Sequence, residues 1–380
     1  MLQKKKTTDM IVVIALLIAS LLTFVSLFGN IVESKIGSVT LEGMDFIDLI
    51  KNGPKTISEG FNGNSDYSQL ASGIIALLDM IFYFSGLLFF LIFGIMGVIN
   101  LVRFLQGKQE LKTNYLLRAV LLKTAFDLFT FFISYGSITN ISSGMSMSNV
   151  LGWGSILAIA SSFIVLIAYS FRYIYIAYLL KKDIYIPIMM CLGVLLILIA
   201  SIVGCHNQLQ FNDLDSGLAS KTNGLELTIT VMALNAKGYD MNTEMYMCEY
   251  GGILMLSAPV LSIVVIDFFK VSKKKKDFIM IIDGIVPIIM TTIGVIFVTS
   301  SSTQAGFCAF QVGAGLITSL VLSGVATILF IICFVTHKNK NITLKPEELM
   351  EEVGGHQEET SSYSESSGSS SDDDDINVIL

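Results

Sequence analysis

The sequence of 380 residues has few charged side chains, and this shortage is the first indication of its class. Only 14% of its residues are Asp, Glu, Lys or Arg, whereas a soluble globular protein contains about 25%. A nucleic-acid-binding protein is not expected, because the net charge is -7 and no basic face alternates with aromatic residues. Hydrophobic residues instead make up 53% of the chain, which favours a membrane protein.

The usual catalytic and metal-binding motifs are also missing. The only histidines, His206, His337 and His356, lie outside the long apolar runs. We find no Walker loop, no serine nucleophile motif with a membrane histidine, and no CxxC or HxxxH spacing. We therefore expect no enzyme activity, no cofactor and no metal site.

Eight long apolar runs account for the hydrophobic composition. Each reaches or nearly reaches the roughly 20 residues that a helix needs to cross a hydrocarbon core about 30 Å thick. Lipid offers no hydrogen-bond partner to an exposed backbone, so the predicted fold is an all-α multi-pass membrane protein with eight transmembrane helices. The runs are Met10–Gly29, Gly73–Val102, Ala119–Gly136, Gly152–Phe171, Ile184–Gly204, Gly252–Phe269, Ile279–Thr299 and Val312–Val335.

The lysines and arginines alternate between the loops in a way that predicts the orientation. Eighteen of them fall in the N-terminal segment, the second, fourth and sixth loops and the tail, against five in the other loops. Because basic residues accumulate on the cytoplasmic side, both termini are predicted to be cytoplasmic, in a plasma or cytoplasmic membrane.

The order of loops repeats along the chain and predicts an internal duplication. Residues 1–182 and 183–336 would form two parallel four-helix repeats, with long outer loops at 30–72 and 205–251. Small residues at matching positions either pack helices within each repeat or form a seam between the fourth and eighth helices. The pairs are Ser26 and Ser201, Gly29 and Gly204, Gly154 and Gly315, Ala158 and Ser319, and Ser162 and Ser323.

The two long outer loops are expected to form small β-containing caps over their bundles. Leu225–Val231 alternates apolar and polar residues as a half-buried strand does, and Val39–Gly43 is a shorter candidate strand. Cys205 and Cys248 bracket the second loop and are candidates for a disulfide, with Cys308 as the rival partner of Cys248.

The tail, residues 337–380, contains 11 acidic residues and three lysines. Its Ser, Glu and Asp composition cannot form a core, so we expect disorder. The tail either keeps the chain solvated or binds a partner, for instance through its last four residues.

Charges inside apolar runs are the strongest indication of function. Asp127 lies in the middle of the third run, with Lys123 one turn away, and Asp283 lies near the start of the seventh. Asp79 lies toward the outer end of the second run. These groups either form structural pairs, including a cross-repeat pair of Lys123 with Asp283, or mark a proton or ion path.

Two functions are compatible with this sequence. The leading hypothesis is a non-enzymatic accessory, adhesion or scaffold subunit in the bilayer, which binds a protein partner through its outer loops and acidic tail. The alternative is a transporter or channel whose path runs between the repeats past Asp127, Lys123 and Asp283. A dry apolar seam between the halves would favour the scaffold, and a polar path would favour transport.

Overall fold

The computed structural model of the chain is mostly helical and describes residues 2–36, 39–106, 114–135, 137–140, 145–179, 183–213, 218–257, 260–261, 276–304 and 310–340. The predicted tail therefore lies outside the described residues, apart from the last residues of the final helix. The helices in the described ranges are α1 (Leu2–Ser26), α2 (Phe46–Gly60), α3 (Tyr67–Leu105), α4 (Asn114–Ser134), α5 (Trp153–Leu179), α6 (Tyr185–Gly204), α7 (Gly224–Ala236), α8 (Thr243–Leu254), α9 (Lys276–Gln304) and α10 (Ala314–Lys340).

Six of the described helices are long and apolar enough to cross a membrane, consistent with an integral membrane protein. They are Thr8–Ser26, Tyr67–Leu105, Trp153–Leu179, Tyr185–Gly204, Met280–Ser301 and Ala314–Thr336. The third predicted span lies in α4, whose apolar sequence is interrupted by Arg118, Lys123 and Asp127. The sixth, Gly252–Phe269, falls largely outside the described residues.

The connections at one end of the helices form a single antiparallel sheet. Its strands are β1 (Val32–Ile36), β2 (Val39–Met44), β3 (Ser137–Asn140), β4 (Met145–Leu151), β5 (Leu209–Asp213), β6 (Leu218–Thr222) and β7 (Phe310–Val312). They are arranged in the order β2-β1-β4-β3-β6-β5-β7. Separate caps over each bundle were expected, but β3 pairs with β6 and joins them. Pairing two edges in this way satisfies backbone groups that would otherwise be exposed.

The strand pairing in residues 2–179 recurs in residues 183–340. In the first half Val32 pairs with Leu151, and in the second half Leu209 pairs with Val312. The adjoining backbone bonds also match, because the N–H of Gly152 donates to Ile31 (2.9 Å) and that of Gly313 donates to Gln208 (2.8 Å).

The prediction of a strand at Leu225–Val231 is wrong, because this segment lies in α7. The side chain of Asn223 accepts a hydrogen bond from the N–H of Glu226 (2.9 Å) and so caps the helix. Leu225, Thr228 and Ile229 are buried at helical spacing. Local alternation was therefore outweighed by a good cap and by packing of α7 against α8 and α3.

The helices pack chiefly within their own half of the chain. α1 packs on α5 and α6 packs on α10, while α3 lies between α2 and α4, and α8 contacts α7 and α9. One apolar cluster nevertheless links the halves, since Val165 and Tyr169 of α5 belong to the same cluster as Val194 of α6 and Phe330 of α10. The helical core is thus continuous across the junction of the two halves.

The small residues at the start of α5 and α10 allow close approach within each half. A Cβ at Gly154 would lie 2.7 Å from the carbonyl oxygen of Ser26 and 2.8 Å from that of Gly29. A Cβ at Gly315 would overlap the carbonyl oxygen of His206. Both clashes are with the preceding partner helix or the residues that end it, which favours packing within each half over a seam between them.

We predict that Gly315→Ala will lower the thermal unfolding temperature of the purified protein in detergent, because the added methyl group meets backbone that cannot turn aside. Gly324 of the same helix is the matched control, since a Cβ there has nothing within 4 Å. Gly324→Ala should be neutral or slightly stabilising. Equal melting temperatures for the two variants would contradict the close approach of α10 to the end of α6.

Candidate functional site

Lys123 and Asp127 form an ion pair in the middle of α4. The ammonium of Lys123 donates to the carboxylate of Asp127 one turn away, and both side chains are almost fully buried. Burying either charge alone would be costly, so each side chain can be buried here only because it is paired with the other. The two charges cancel, so this turn of α4 carries no net charge.

Side chains of the neighbouring helices contact the pair and the adjoining turn of α4. The Lys123 ammonium lies 4.9 Å from the ring centroid of Tyr83, a cation–π contact, and the hydroxyl of Tyr83 donates to the carbonyl of Leu27 (3.4 Å). On the other side of α4, the hydroxyl of Thr124 donates to the carbonyl of Ala158, and Ser162 donates to Thr124 (2.7 Å). Ala158 and Ser162 therefore serve to hold α5 against α4.

Asp283 lies on α9, apart from the Lys123–Asp127 pair. The main neighbours of α9 are α8 and α10, whereas α4 packs mainly on α3 and α5. The structure thus pairs Lys123 within its own helix, and the cross-repeat pair with Asp283 stays a prediction.

In the second half, Ser319 and Ser323 are buried in α10, and the carbonyl of Ser323 accepts a hydrogen bond from Thr327 (2.8 Å).

A second buried ion pair was missed by the sequence analysis. The guanidinium of Arg172 lies 2.7 Å from the carboxylate of Asp9 and joins α5 to α1 at the end far from the sheet. Arg172 directly follows the fourth apolar run, and its position there predicts only a basic loop residue. The sequence offered one indication that Arg172 could reach Asp9, which is that small residues such as Gly154 allow α5 to pack closely on α1.

Asp79 lies at the sheet end of α3 within a polar network. Its side chain is 3% exposed, and one carboxylate oxygen accepts a hydrogen bond from the hydroxyl of Ser134 (2.8 Å). The amide of Asn149 donates to the carbonyl of Ser134 (2.6 Å), and Ser34 donates to the Asn149 side-chain oxygen (2.8 Å). The other oxygen of Asp79 has no hydrogen-bond partner.

A cavity of about 370 Å³ adjoins this network. It lies between β1, β2, β4, α2, α3 and the end of α4. Its lining residues are Val32, Ser34, Gly43, Met44, Asp48, Leu49, Asn52, Gly53, Thr56, Ser72, Ile75, Ala76, Asp79, Ser134 and Asn149. It contains carboxylates, amides and hydroxyls together with an apolar wall, the composition of a small-molecule site.

The expected disulfide between Cys205 and Cys248 is not formed in the structure. Both are free thiols. Cys205 is fully buried and its thiol contacts the carbonyl of Leu128 (3.9 Å), whereas Cys248 lies 3.0 Å from the hydroxyl of Ser301. Burial raises the pKa of both thiols, which disfavours the reactive thiolate. The rival partner, Cys308, lies outside the described residues.

Burial shifts the pKa values of two groups where the halves meet near the sheet in the direction that favours the neutral forms. Burial lowers the pKa of His206, whose ring contacts Phe131 (4.7 Å) and Tyr135 (5.7 Å) of the first half. Burial likewise raises the pKa of Glu226, which the hydrogen bond from Thr222 only partly offsets. Burial thus disfavours the charged forms of both groups at the contact between α4 and the second half.

Comparisons with protein-family models, with curated proteins and with solved structures found no match to this chain. Within the described residues, no group of three or more His, Cys, Asp or Glu side chains has an arrangement that could hold a metal ion. The candidate sites therefore rest on the geometry of the buried charges and of the cavity.

We predict that Lys123→Met and Asp127→Asn will each destabilise the protein by about 3–5 kcal/mol, the cost of leaving one buried partner unpaired in soluble proteins. The double variant should recover much of the loss because both charges are removed. The free energy of unfolding in detergent, measured for all four proteins, gives the coupling between the two residues.

The exposed pair Lys55–Glu59 has the same i,i+4 spacing and serves as the control. Its coupling should stay below about 0.5 kcal/mol. If the coupling of Lys123 and Asp127 is equally small, the two charges do not depend on each other, and a structural role for the pair is excluded.

Proposed function

We propose that the chain consists of two copies of one unit, each crossing the membrane four times. The equal strand register of the two halves and the matching glycine N–H bonds support this proposal. The helix contacts support it as well, because α1 packs on α5 as α6 packs on α10. Residues 2–179 and 183–340 would then be related by an axis along the membrane normal.

The direction of the helices supports eight crossings with both termini cytoplasmic. α1, α4, α6 and α9 run toward the sheet, whereas α3, α5 and α10 run away from it. A crossing between α8 and α9 would complete the alternation. Basic residues are concentrated at the end away from the sheet, which supports a sheet on the outer side of a plasma or cytoplasmic membrane.

Labelling of single cysteines in intact cells tests this arrangement. A Lys51→Cys variant on α2 should react with a membrane-impermeant maleimide, because α2 lies at the sheet end. A Lys274→Cys variant should react only after the cells are permeabilised. Signals are compared with the unsubstituted protein, which contributes the background of its own cysteines. Labelling of residue 274 from outside would overturn the eight-crossing arrangement.

Within this architecture, the function that the geometry supports best is that of a non-enzymatic accessory, adhesion or scaffold subunit. The observation that carries this proposal is the apolar junction between the halves, where Val165, Tyr169, Val194 and Phe330 belong to one buried cluster. A polar path between the repeats would need hydrated or polar groups there. The buried charge at Asp127 is also neutralised within its own helix.

The sheet end supplies the surface through which such a subunit would act. Large apolar side chains are exposed on elements outside the long spans, including Ile47 and Ile50 of α2 and Tyr246 and Tyr250 of α8. Exposed apolar residues of this kind are common at protein–protein contacts when they cluster. The bilayer and a protein partner at this surface or at the acidic tail are the partners that we propose.

Two measurements separate the scaffold from a transporter. A photo-crosslinking residue at Ile50 or Tyr250 should capture a defined protein in intact cells, whereas the same residue at Ile95, which is exposed on the apolar surface of α3, should not. Liposomes that contain the purified protein should show no proton, Na⁺ or K⁺ flux above protein-free liposomes. A flux that Asp127→Asn abolishes would replace the scaffold proposal with transport between the repeats.

A further inference from the structure

The carboxylate of Asp79 is only half satisfied, although it is one of the most buried charged groups of the first half. One of its oxygens accepts a hydrogen bond from Ser134, and the other has no partner and is inaccessible to bulk solvent. Leaving a buried carboxylate oxygen unpaired is costly. A molecule that supplies the missing donor at this position would therefore bind with a favourable free energy.

The cavity beside Asp79 determines the chemistry of that molecule. Its lining includes two carboxylates, Asp48 and Asp79, and the acceptor oxygens of several amides and hydroxyls, but no Lys, Arg or His. Leu49, Ile75 and Met44 supply an apolar wall. We propose that this cavity binds a small organic ammonium ion, with its N–H groups on Asp79 and its hydrocarbon part against the apolar wall.

The size of the cavity favours an organic cation over a bare metal ion. Its volume of about 370 Å³ lies at the lower end of the range for small-molecule sites, about 300–1,000 Å³. A metal ion would need several converging oxygen ligands at short distance. Asp79 instead offers one oxygen without a partner beside a wide cavity with an apolar side, which fits an ammonium group carried by a short alkyl chain.

The position of Asp79 along α3 makes the cavity accessible from water. The 39 residues of α3 span about 58 Å, well beyond a hydrocarbon core of about 30 Å. Arg103 near the far end of α3 marks the opposite boundary, and Asp79 lies roughly 36 Å along the helix from it. The cavity is thus at or beyond the edge of the hydrocarbon core, at the level of the sheet.

The surrounding hydrogen bonds hold the site ready for a ligand. Ser134 fixes one oxygen of Asp79, Asn149 holds the carbonyl of Ser134, and Ser34 holds Asn149. This chain of bonds links α3, the end of α4 and strands β4 and β1. Because these bonds restrain the carboxylate, little further ordering is needed when a ligand binds.

Binding is tested with the purified full-length protein in phosphatidylcholine nanodiscs, with n-butylammonium as the probe and 1-butanol as its uncharged analogue of nearly equal shape. At constant ionic strength, we expect saturable binding of butylammonium by calorimetry and no measurable binding of butanol. Asp79→Asn keeps an acceptor for Ser134 but removes the charge, and should weaken butylammonium binding at least tenfold. Asp240→Asn, which changes an exposed carboxylate outside the cavity, should bind as the wild type does.

A second variant keeps the test decisive if Asp79→Asn fails to fold. Ala76→Phe fills the cavity without altering the carboxylate and should also weaken butylammonium binding at least tenfold. The ammonium could come from a free amine or from the ethanolamine headgroup of a lipid. Nanodiscs of phosphatidylethanolamine separate the two sources. If the lipid headgroup occupies the cavity, butylammonium should bind more weakly there than in phosphatidylcholine nanodiscs. Equal affinity in the two lipids points to a free amine.

The proposal is overturned if butylammonium does not bind, if butanol binds equally well, or if Asp79→Asn and Ala76→Phe both retain the wild-type affinity. These results bear on the cavity alone, since the scaffold function of the preceding subsection does not depend on it.

Discussion

The pairing of β3 with β6 is the interaction on which the arrangement of the whole molecule depends. It converts the strands of both halves into one sheet and fixes the ends of α1, α4 and α6 at a common level. Without this pairing, each half would present a free strand edge, which is a template for pairing with another chain. Other contacts follow the same junction, including the bonds from Asn223 to the carbonyl of Phe132 and from Lys237 to Ser65.

The buried Asp, Lys and Arg side chains of the described residues are of two kinds, those paired with an opposite charge and one, Asp79, that is not. Lys123 and Asp127 neutralise each other within one helix, and Asp9 and Arg172 do the same between two helices. Each of these pairs offsets its desolvation cost locally and needs no ligand. Asp79 has only the hydroxyl of Ser134, a neutral donor that supplies no opposite charge. The aspartate at position 127 is therefore paired with a lysine, whereas the aspartate at position 79 has one oxygen without a hydrogen-bond partner.

The sequence contained enough information for those features that depend on neighbouring residues. Long apolar runs predicted the six described helices that are long and apolar enough to cross a membrane, and the i,i+4 spacing of Lys123 and Asp127 predicted that they could pair. The matching small residues predicted close helix contacts, since Gly154 and Gly315 both meet the backbone of a partner segment. Local spacing suffices in these cases because the helix itself brings the residues together.

Features that depend on distant segments could not be predicted in this way. β3 and β4 lie between the third and fourth apolar runs, where no strand was predicted, and they form strands because β1 and β6 lie on either side. The alternation at Leu225–Val231 indicated a strand, but Asn223 and the packing of α7 on α8 made a helix. Ser134 and Asn149 are ordinary polar residues until the fold places them beside Asp79. The Lys123–Asp127 pair needs no ligand, whereas the half-satisfied carboxylate of Asp79 lies at the sheet end, where recognition by a soluble partner or ligand requires the least desolvation.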